Sequence, residues 1–227
     1  MIKKQKGEMG MKEPMSHIER RDRELPYISD ESVMREQAET RRKLQKFNTM
    51  DFSDYEGLSR MIKKILGKTG EKIFVNPPFY CDYGTHIEVG ENFGANYNCT
   101  ILDVAKVVIG KNVLLAPNVA IYTAGHPIDP VARNSAYEYG IGVTIGDNCW
   151  IGGNTVITPG VHIGKNVVIG AGSVVTKDIP DSVVAAGNPC RVLRSITEED
   201  RLYYYKDRKF PPETLDEIEA WAAREGY

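Results

Sequence analysis

The chain has 227 residues, with 29 Lys+Arg against 31 Asp+Glu, a net charge of −2, 41% hydrophobic residues and 21 glycines. The length suits one large domain, or one domain with a small appendage, and the composition excludes wholesale disorder. Near-neutral charge removes the usual electrostatic case for nucleic acid, and no apolar run approaches the ~18 residues of a membrane span. The N-terminal MIKKQKGEMG lacks a signal peptide's apolar core, so the reading is soluble and cytoplasmic, without a membrane partner. Cys81, Cys99, Cys149 and Cys190 form no CxxC pair and read as buried free thiols.

Residues 1–24 are charged and aperiodic, which predicts a loose arm with His17 solvated in it. Residues 25–70 read as helical. Val33, Met34, Ala38, Leu44 and Phe47 form a partial apolar stripe that starts after Ser29-Asp30 and ends near Asn48. Leu58, Met61, Ile62, Ile65 and Leu66 then follow the spacing of a helix face, with Gly67 at the expected C-cap. From residue 71 the period changes to six. Ile109, Leu115 and Ile121, then Ile145, Ile151, Ile157, Ile163, Ile169 and Val175, recur at that step, and Gly110, Gly146, Gly152, Gly164 and Gly170 each follow one of them. Period six fits neither a helix nor ordinary strands. It fits a parallel β-helix of hexapeptide repeats, in which three hexads make one triangular coil. The aliphatics then point into the prism, and the small residues two positions earlier, Cys149, Thr155, Val161, Val167 and Ser173, fill its corners. The glycines allow tight turning or close approach.

Between Ile121 and Ile145 the slots hold Pro127, Arg133 and Tyr139, so residues 123–142 are expected to leave the coil as a loop. Long loops on regular scaffolds are where function sits. This one contains His126, one of four histidines. His162 precedes an inward Ile and is expected on the outer surface, and His86 has no evident role. Residues 71–192 thus form the β-helix, and an open solenoid end needs a cover, which the N-terminal helices supply. Residues 193–227 read as a helical tail. Thr197 opens an acidic turn with Asp200 at its N3 position, Pro211-Pro212 breaks the chain, and Thr214 with Glu217 opens a last helix bearing Leu215, Ile218 and Trp221.

The segments NFGANYNCTILDV (92–104), IYTAGHPIDPVARNS (121–135), VTIGDNCWIGGNTVITPGVHIGKNVVIGAGSVVTKDIP (143–180) and VVAAGNPCRV (183–192) resemble the maltose and galactoside O-acetyltransferases of the hexapeptide-repeat family. The likeness runs from about Pro26 to Lys209, and the block from LDV to NS is closer to the maltose type. It implies a mainly β fold, a left-handed parallel β-helix. It also implies transfer of acetyl from acetyl-CoA to a sugar hydroxyl, no metal, and homotrimers with active sites between subunits. His126 matches the catalytic base, an imidazole that takes the proton of the attacking hydroxyl. Asn96 matches the amide that donates to the tetrahedral oxyanion and also touches the cofactor. Gly153, Ala171, Thr176, Lys177, Arg191, Arg194 and Trp150 match the CoA groove, the cations suiting its phosphates. On the acceptor side Asp82 stands where the galactoside enzyme has a serine, Gly94 where it has a tyrosine, and Val104 where it has a sugar-binding aspartate. Asp103 is adjacent, and Ser29, or its neighbour Asp30, aligns with a further acceptor aspartate.

Three other readings compete. The first is the same scaffold acting on serine, an antibiotic or an amino-sugar; the helices before the coils and the GHPIDP loop favour the sugar class. The second is a γ-type carbonic anhydrase, which needs three zinc-binding histidines with a close pair, whereas His86, His126 and His162 are strung apart. The third, a non-catalytic scaffold, does not account for His126, Asn96 and the Lys177, Arg191 and Arg194 set.

Overall fold

The computed structural model describes residues 14–225. Most of the expected loose arm, residues 1–13, lies outside them. The remainder is not loose: helix α1 (His17–Asp22) opens with a reciprocal cap between Ser16 and Glu19. Arg21 is buried, pairs with Asp22 at 2.8 Å and Glu36 at 2.7 Å, and lays its guanidinium 4.4 Å from the centroid of the Tyr83 ring. His17 is not merely solvated, since its Nδ1 accepts the Ile28 amide at 3.0 Å. A six-residue helix is too short to show a period, and its anchors are distant in sequence.

Helix α2 (Glu31–Asn48) is capped by Asp30 and buries Val33, Thr40, Leu44 and Phe47, while Met34 faces solvent. Helix α3 (Tyr55–Ile62) stops well before Gly67. Ile65 and Leu66 are still buried, but in the turn that follows. Gly67 is therefore no helix cap: its amide bonds the carbonyls of Gly84 and Ile87 at 3.0 Å, and a Cβ there would sit 2.1 Å from the Thr85 oxygen. It is the point where the helical cover meets the first coil. Leu44, Phe47, Leu58 and Ile62 join the same apolar core as Ile73 and Phe79, so α2 and α3 close the N-terminal end of the prism.

The coils form three parallel sheets. The first face stacks Ile73–Val75, Phe93–Ala95, Leu114–Leu115, Trp150–Ile151, Val168–Ile169 and Val183–Ala186. The second stacks Phe79–Cys81, Cys99–Leu102, Ala120–Tyr122, Val156–Ile157 and Val174–Val175, and the third Ile87–Val89, Val107–Ile109, Val143–Ile145 and His162–Ile163. The register is the one the period implies: Ile145 lies over Ile163, Ile151 over Ile169 and Ile157 over Val175. Every aliphatic of the sequence series is at most 3% exposed, and the corner-fillers Cys149, Thr155, Val161, Val167 and Ser173 are buried. The core is thus a column of interlocked Ile and Val, each stacked on its copies.

The corners turn on asparagine more than on glycine. Asn92, Asn112, Asn148 and Asn166 adopt φ of 55–59° at one corner, and Asn98, Asn118 and Asn154 φ of 58–61° at the next. Asparagine tolerates this left-handed region because its short side chain hydrogen-bonds locally. At the first of these corners the amides also bond one another along the axis, Asn92 to Asn112 at 2.9 Å, Asn112 to Asn148 at 2.9 Å and Asn148 to Asn166 at 3.0 Å. The glycines after the aliphatics serve close approach instead. At Gly152, for example, a Cβ would lie 2.5 Å from the Ala171 nitrogen.

Residues 123–142 do leave the coil, at the corner between the second and third faces. They are ordered: Ala124–Gly125 pairs antiparallel with Tyr137–Gly140, helix α4 (Pro130–Asn134) spans the tip, and Tyr27–Ile28 joins the outer edge. At the far end the expected helical tail is mostly something else. Arg191–Ser195 folds back antiparallel on Val183–Ala186, a 3₁₀ turn follows at Glu198–Leu202, and Tyr203–Tyr205 makes a hairpin with Arg208–Lys209. Asp200 sits at N3 of that turn, and its carboxylate accepts the Thr197 amide at 2.8 Å. The last helix, α5 (Pro212–Glu225), begins at Pro212 rather than at Thr214, as suits a residue with no amide hydrogen, and none of its residues is buried.

Candidate active site

The sequence-derived site residues fall on two different corners of the prism. Asn96, Gly153 and Ala171 share the corner between the first and second faces. There the amides of Asn96, Ala116, Gly152 and Gly170 each bond the carbonyl one coil further on, at Leu115, Ile151, Ile169 and Ala185, over 2.8–2.9 Å. At about 4.8 Å per strand, four steps make a straight track of about 19 Å from Asn96 to the rung of Ala185. Arg191 stands at its end, paired with Ala186. Asn96 is half-buried and its Oδ1 accepts the Tyr97 amide at 2.8 Å, which leaves the NH₂ end as the outward donor. Trp150, 55% exposed, projects from the first face into a groove of about 230 Å³ that it shares with Asn96. Arg194 is engaged: its guanidinium grips Asp200 in two bonds of 2.7 Å and holds that carboxyl down at about 2. Arg194 is therefore less free for a phosphate than Arg191 or Lys177.

The other corner, between the second and third faces, carries Asp82, Asp103, Thr176, Lys177 and the excursion with His126. Thr176, Lys177 and His126 are exposed. Asp103 is fully buried, and its Oδ1 accepts the amides of Asp82 and Tyr83 at 2.9 Å each, while Oδ2 has no partner among the described residues. Its side chain thus lies beneath the 82–83 turn, and burial raises its pKa. Asp82 is pushed up to about 6, by burial first and by Asp103 second. Ser29 donates its hydroxyl to Glu138 of the excursion. Asp30 is taken up by the cap of α2, accepting the amides of Ser32 and Val33. Of the two neighbours, Ser29 is the one that faces the excursion.

Glu138 is a residue that sequence reasoning missed. It neighbours Tyr139, the register partner of Gly125, and His126 directly follows Gly125. The same strand thus brings a carboxylate to Ser29 and runs beside the histidine. The signal was present in the Tyr-Glu-Tyr alternation at 137–139, but a strand inside a loop was not expected.

The raised Asp82 has a measurable cost. Its folded pKa of about 6 lies above the ordinary carboxylate value near 4, so the folded state holds the proton more tightly. Its contribution to stability is therefore lost as pH rises from about 4 to about 6, and nothing more is lost above that. Asp82→Asn is expected to be more stable than wild type above pH 6, by on the order of 2 kcal/mol, with the gap closing below pH 4. Urea midpoints across that range measure it, and equal midpoints at pH 8 would show that Asp82 is not strained.

All four cysteines are free and buried, and burial raises each thiol, Cys99 to about 11. They are poor nucleophiles. Among the described residues no three His, Cys, Asp or Glu side chains gather as a metal site. His86 bonds the Asp103 carbonyl at 2.7 Å and His162 the Thr144 hydroxyl at 2.8 Å. No helix among the described residues is long and apolar enough to cross a membrane.

A helix-capped parallel solenoid of hexapeptide coils, with a side groove at one corner and a histidine-bearing excursion at another, defines the hexapeptide-repeat transferase class. Residues 142–177 match the hexapeptide repeat of succinyl-transferase, and residues 23–70 match the maltose acetyltransferase hexapeptide capping motif. The galactoside O-acetyltransferase of Escherichia coli K12 is 47% identical over 73% of this chain and 82% of its own length. A solved maltose O-acetyltransferase from Clostridium difficile 630 is 51% identical, with a TM-score of 0.80 over 81% of this chain and 99% of its own. A galactoside acetyltransferase solved in complex with coenzyme A is 44% identical, with a TM-score of 0.84 over 87% of this chain and all of its own. The chain belongs to the maltose and galactoside acetyltransferase family, and it is an acetyltransferase.

Proposed function

We propose that the enzyme moves an acetyl group from acetyl-CoA to a hydroxyl of a sugar, in the cytoplasm that supplies acetyl-CoA. The acceptor oxygen attacks the thioester carbonyl, His126 takes its proton, Asn96 donates to the oxyanion, and the C–S bond breaks to release CoA as its thiol. Direct attack in a ternary complex needs no covalent intermediate, which agrees with four buried thiols of raised pKa. The CoA arm lies along the 19 Å track past Gly153 and Ala171, with Arg191 toward its phosphates. Asp82, Ser29 and Glu138 accept hydrogen bonds from hydroxyls of the acceptor, while Asp103 holds the turn that carries Asp82.

The observation that carries this reading is the separation of the two sets. Asn96, Gly153 and Ala171 occupy one corner and His126, the carboxylates, Thr176 and Lys177 the next, so a second copy is needed to bring both halves of the CoA and acceptor sites together. A ring of three, in which one subunit's first corner meets its neighbour's second, closes every site in the same way. The acceptor is tested by measuring acetyl-CoA consumption against glucose, maltose, galactosides, serine and aminoglycosides. Saturable turnover with glucosides or galactosides is the expected result. Turnover with serine or an aminoglycoside alone would replace the sugar with the non-sugar acceptors considered above.

A further inference from the structure

The strand that folds back over the last coil contains one residue too many. Arg191 stands opposite Ala186 and Val192 opposite Ala185, but Arg194, not Leu193, stands opposite Val184. Leu193 is therefore a bulge, and it resets the alternation of the strand. Ala186 and Val184 are the outward residues of their own strand, Val183 and Ala185 the buried ones. Without the bulge Arg191 and Arg194 would point to opposite faces. With it they share the outer face, about 7 Å apart along the strand. Arg194 is also held in place. Its Nη1 and Nη2 donate to the two Asp200 oxygens at 2.7 Å each, and Nη1 donates again to the Ser195 carbonyl at 3.0 Å. A guanidinium has five N–H donors, so those left are on Nε and Nη2. They lie side by side on one edge, a fork suited to two oxygens of a phosphate. Asp200 is itself fixed by the Thr197 amide. Arg194 and Asp200 line a cavity of about 740 Å³, with Lys206 and Lys209 also on its wall.

We infer that Asp200 is a positioning residue for the acyl donor: it presents the free fork of Arg194 to the 3′-phosphate of CoA, while Arg191 meets the pyrophosphate. The inference rests on the proposed CoA track, which ends at Arg191. Arg194 stands beyond that end and on the cavity wall, where the nucleotide has room. An exposed arginine otherwise samples many rotamers, and fixing it at the moment of binding costs affinity. Asp200 fixes it beforehand. By charge alone, a carboxylate beside a polyanion weakens binding, so positioning and repulsion have opposite signs. The ion pair is itself exposed and contributes little to folding, so its loss leaves the fold in place.

The test is the dissociation constant of CoA and of 3′-dephospho-CoA, measured by calorimetry on the full-length chain. Asp200→Ala should weaken CoA about three- to tenfold, although it removes a negative charge, and leave dephospho-CoA within about twofold. Asp200→Asn, whose oxygen can still accept the Thr197 amide, should show the same loss with the turn kept. Arg194→Ala should weaken CoA by about tenfold or more, and adding Asp200→Ala to it should change nothing further. Tighter or unchanged CoA binding in Asp200→Ala overturns the inference and makes Asp200 a competitor of the phosphate or a bystander. An equal loss on both ligands overturns it as well, and so does a further loss in the double variant, which would make the role of Asp200 structural. No binding of CoA by wild type would instead overturn the CoA reading of the track.

Discussion

His126→Ala is expected to lower kcat by about 10²–10⁴-fold while leaving CoA affinity within about twofold. The asymmetry follows from the layout. The proposed CoA track runs along the corner of Asn96, Gly153 and Ala171, whereas His126 hangs from the excursion at the next corner and takes part in no bond of the coil ladder. Removing an exposed imidazole leaves the fold intact, because the excursion is held by its own hairpin, by the Asp129 cap of α4 and by pairing with Tyr27–Ile28. On the proposed mechanism, what is lost is the group that accepts the hydroxyl proton as the carbon–oxygen bond forms. Single-turnover acetyl transfer and CoA titration separate the two effects. A variant with near-normal kcat would remove His126 from the chemistry, and one that fails to bind CoA would make it a binding residue.

The parts of the fold and site that were legible in the sequence are those with a period or a local motif. Ile145 to Val175 recur at six because each must stack on its own copy, so the register follows from spacing alone. The excursion is visible as a failure of that spacing, and it holds His126. The corners were half legible. Glycine drew attention by its frequency, yet seven asparagines carry the left-handed turns, and their amide ladder joins residues 18 to 36 positions apart, which no local pattern reveals. Long-range contacts were likewise beyond reach. Arg21 under Tyr83, Ser29 against Glu138 and Asp200 on Arg194 each depend on where the chain returns. The direction of Asp103 was open for the same reason, and the two amides that fix it belong to the previous coil.

Asn96→Ala is expected to lower kcat by about 10²–10³-fold, the usual loss of one oxyanion donor, with little change in the affinity of the acceptor. Its value is greatest in combination. If one chain's Asn96 works with another chain's His126, neither single variant has a complete site, yet a mixed ring regenerates some. When the two variants are co-expressed in equal amounts and assemble at random, about a quarter of the junctions pair an intact Asn96 with an intact His126. The mixture should then recover about a quarter of wild-type kcat per site, a gain of one to three orders of magnitude over either parent. If both groups acted within one chain, each chain would carry one lesion and mixing would recover nothing. The two outcomes are far apart. Recovery also requires that each variant fold and assemble, so it shows at once that the losses are chemical. The placement of Asn96 at one corner and His126 at the next makes recovery the expected result, and an inert mixture whose subunits have demonstrably exchanged would return both residues to a single subunit.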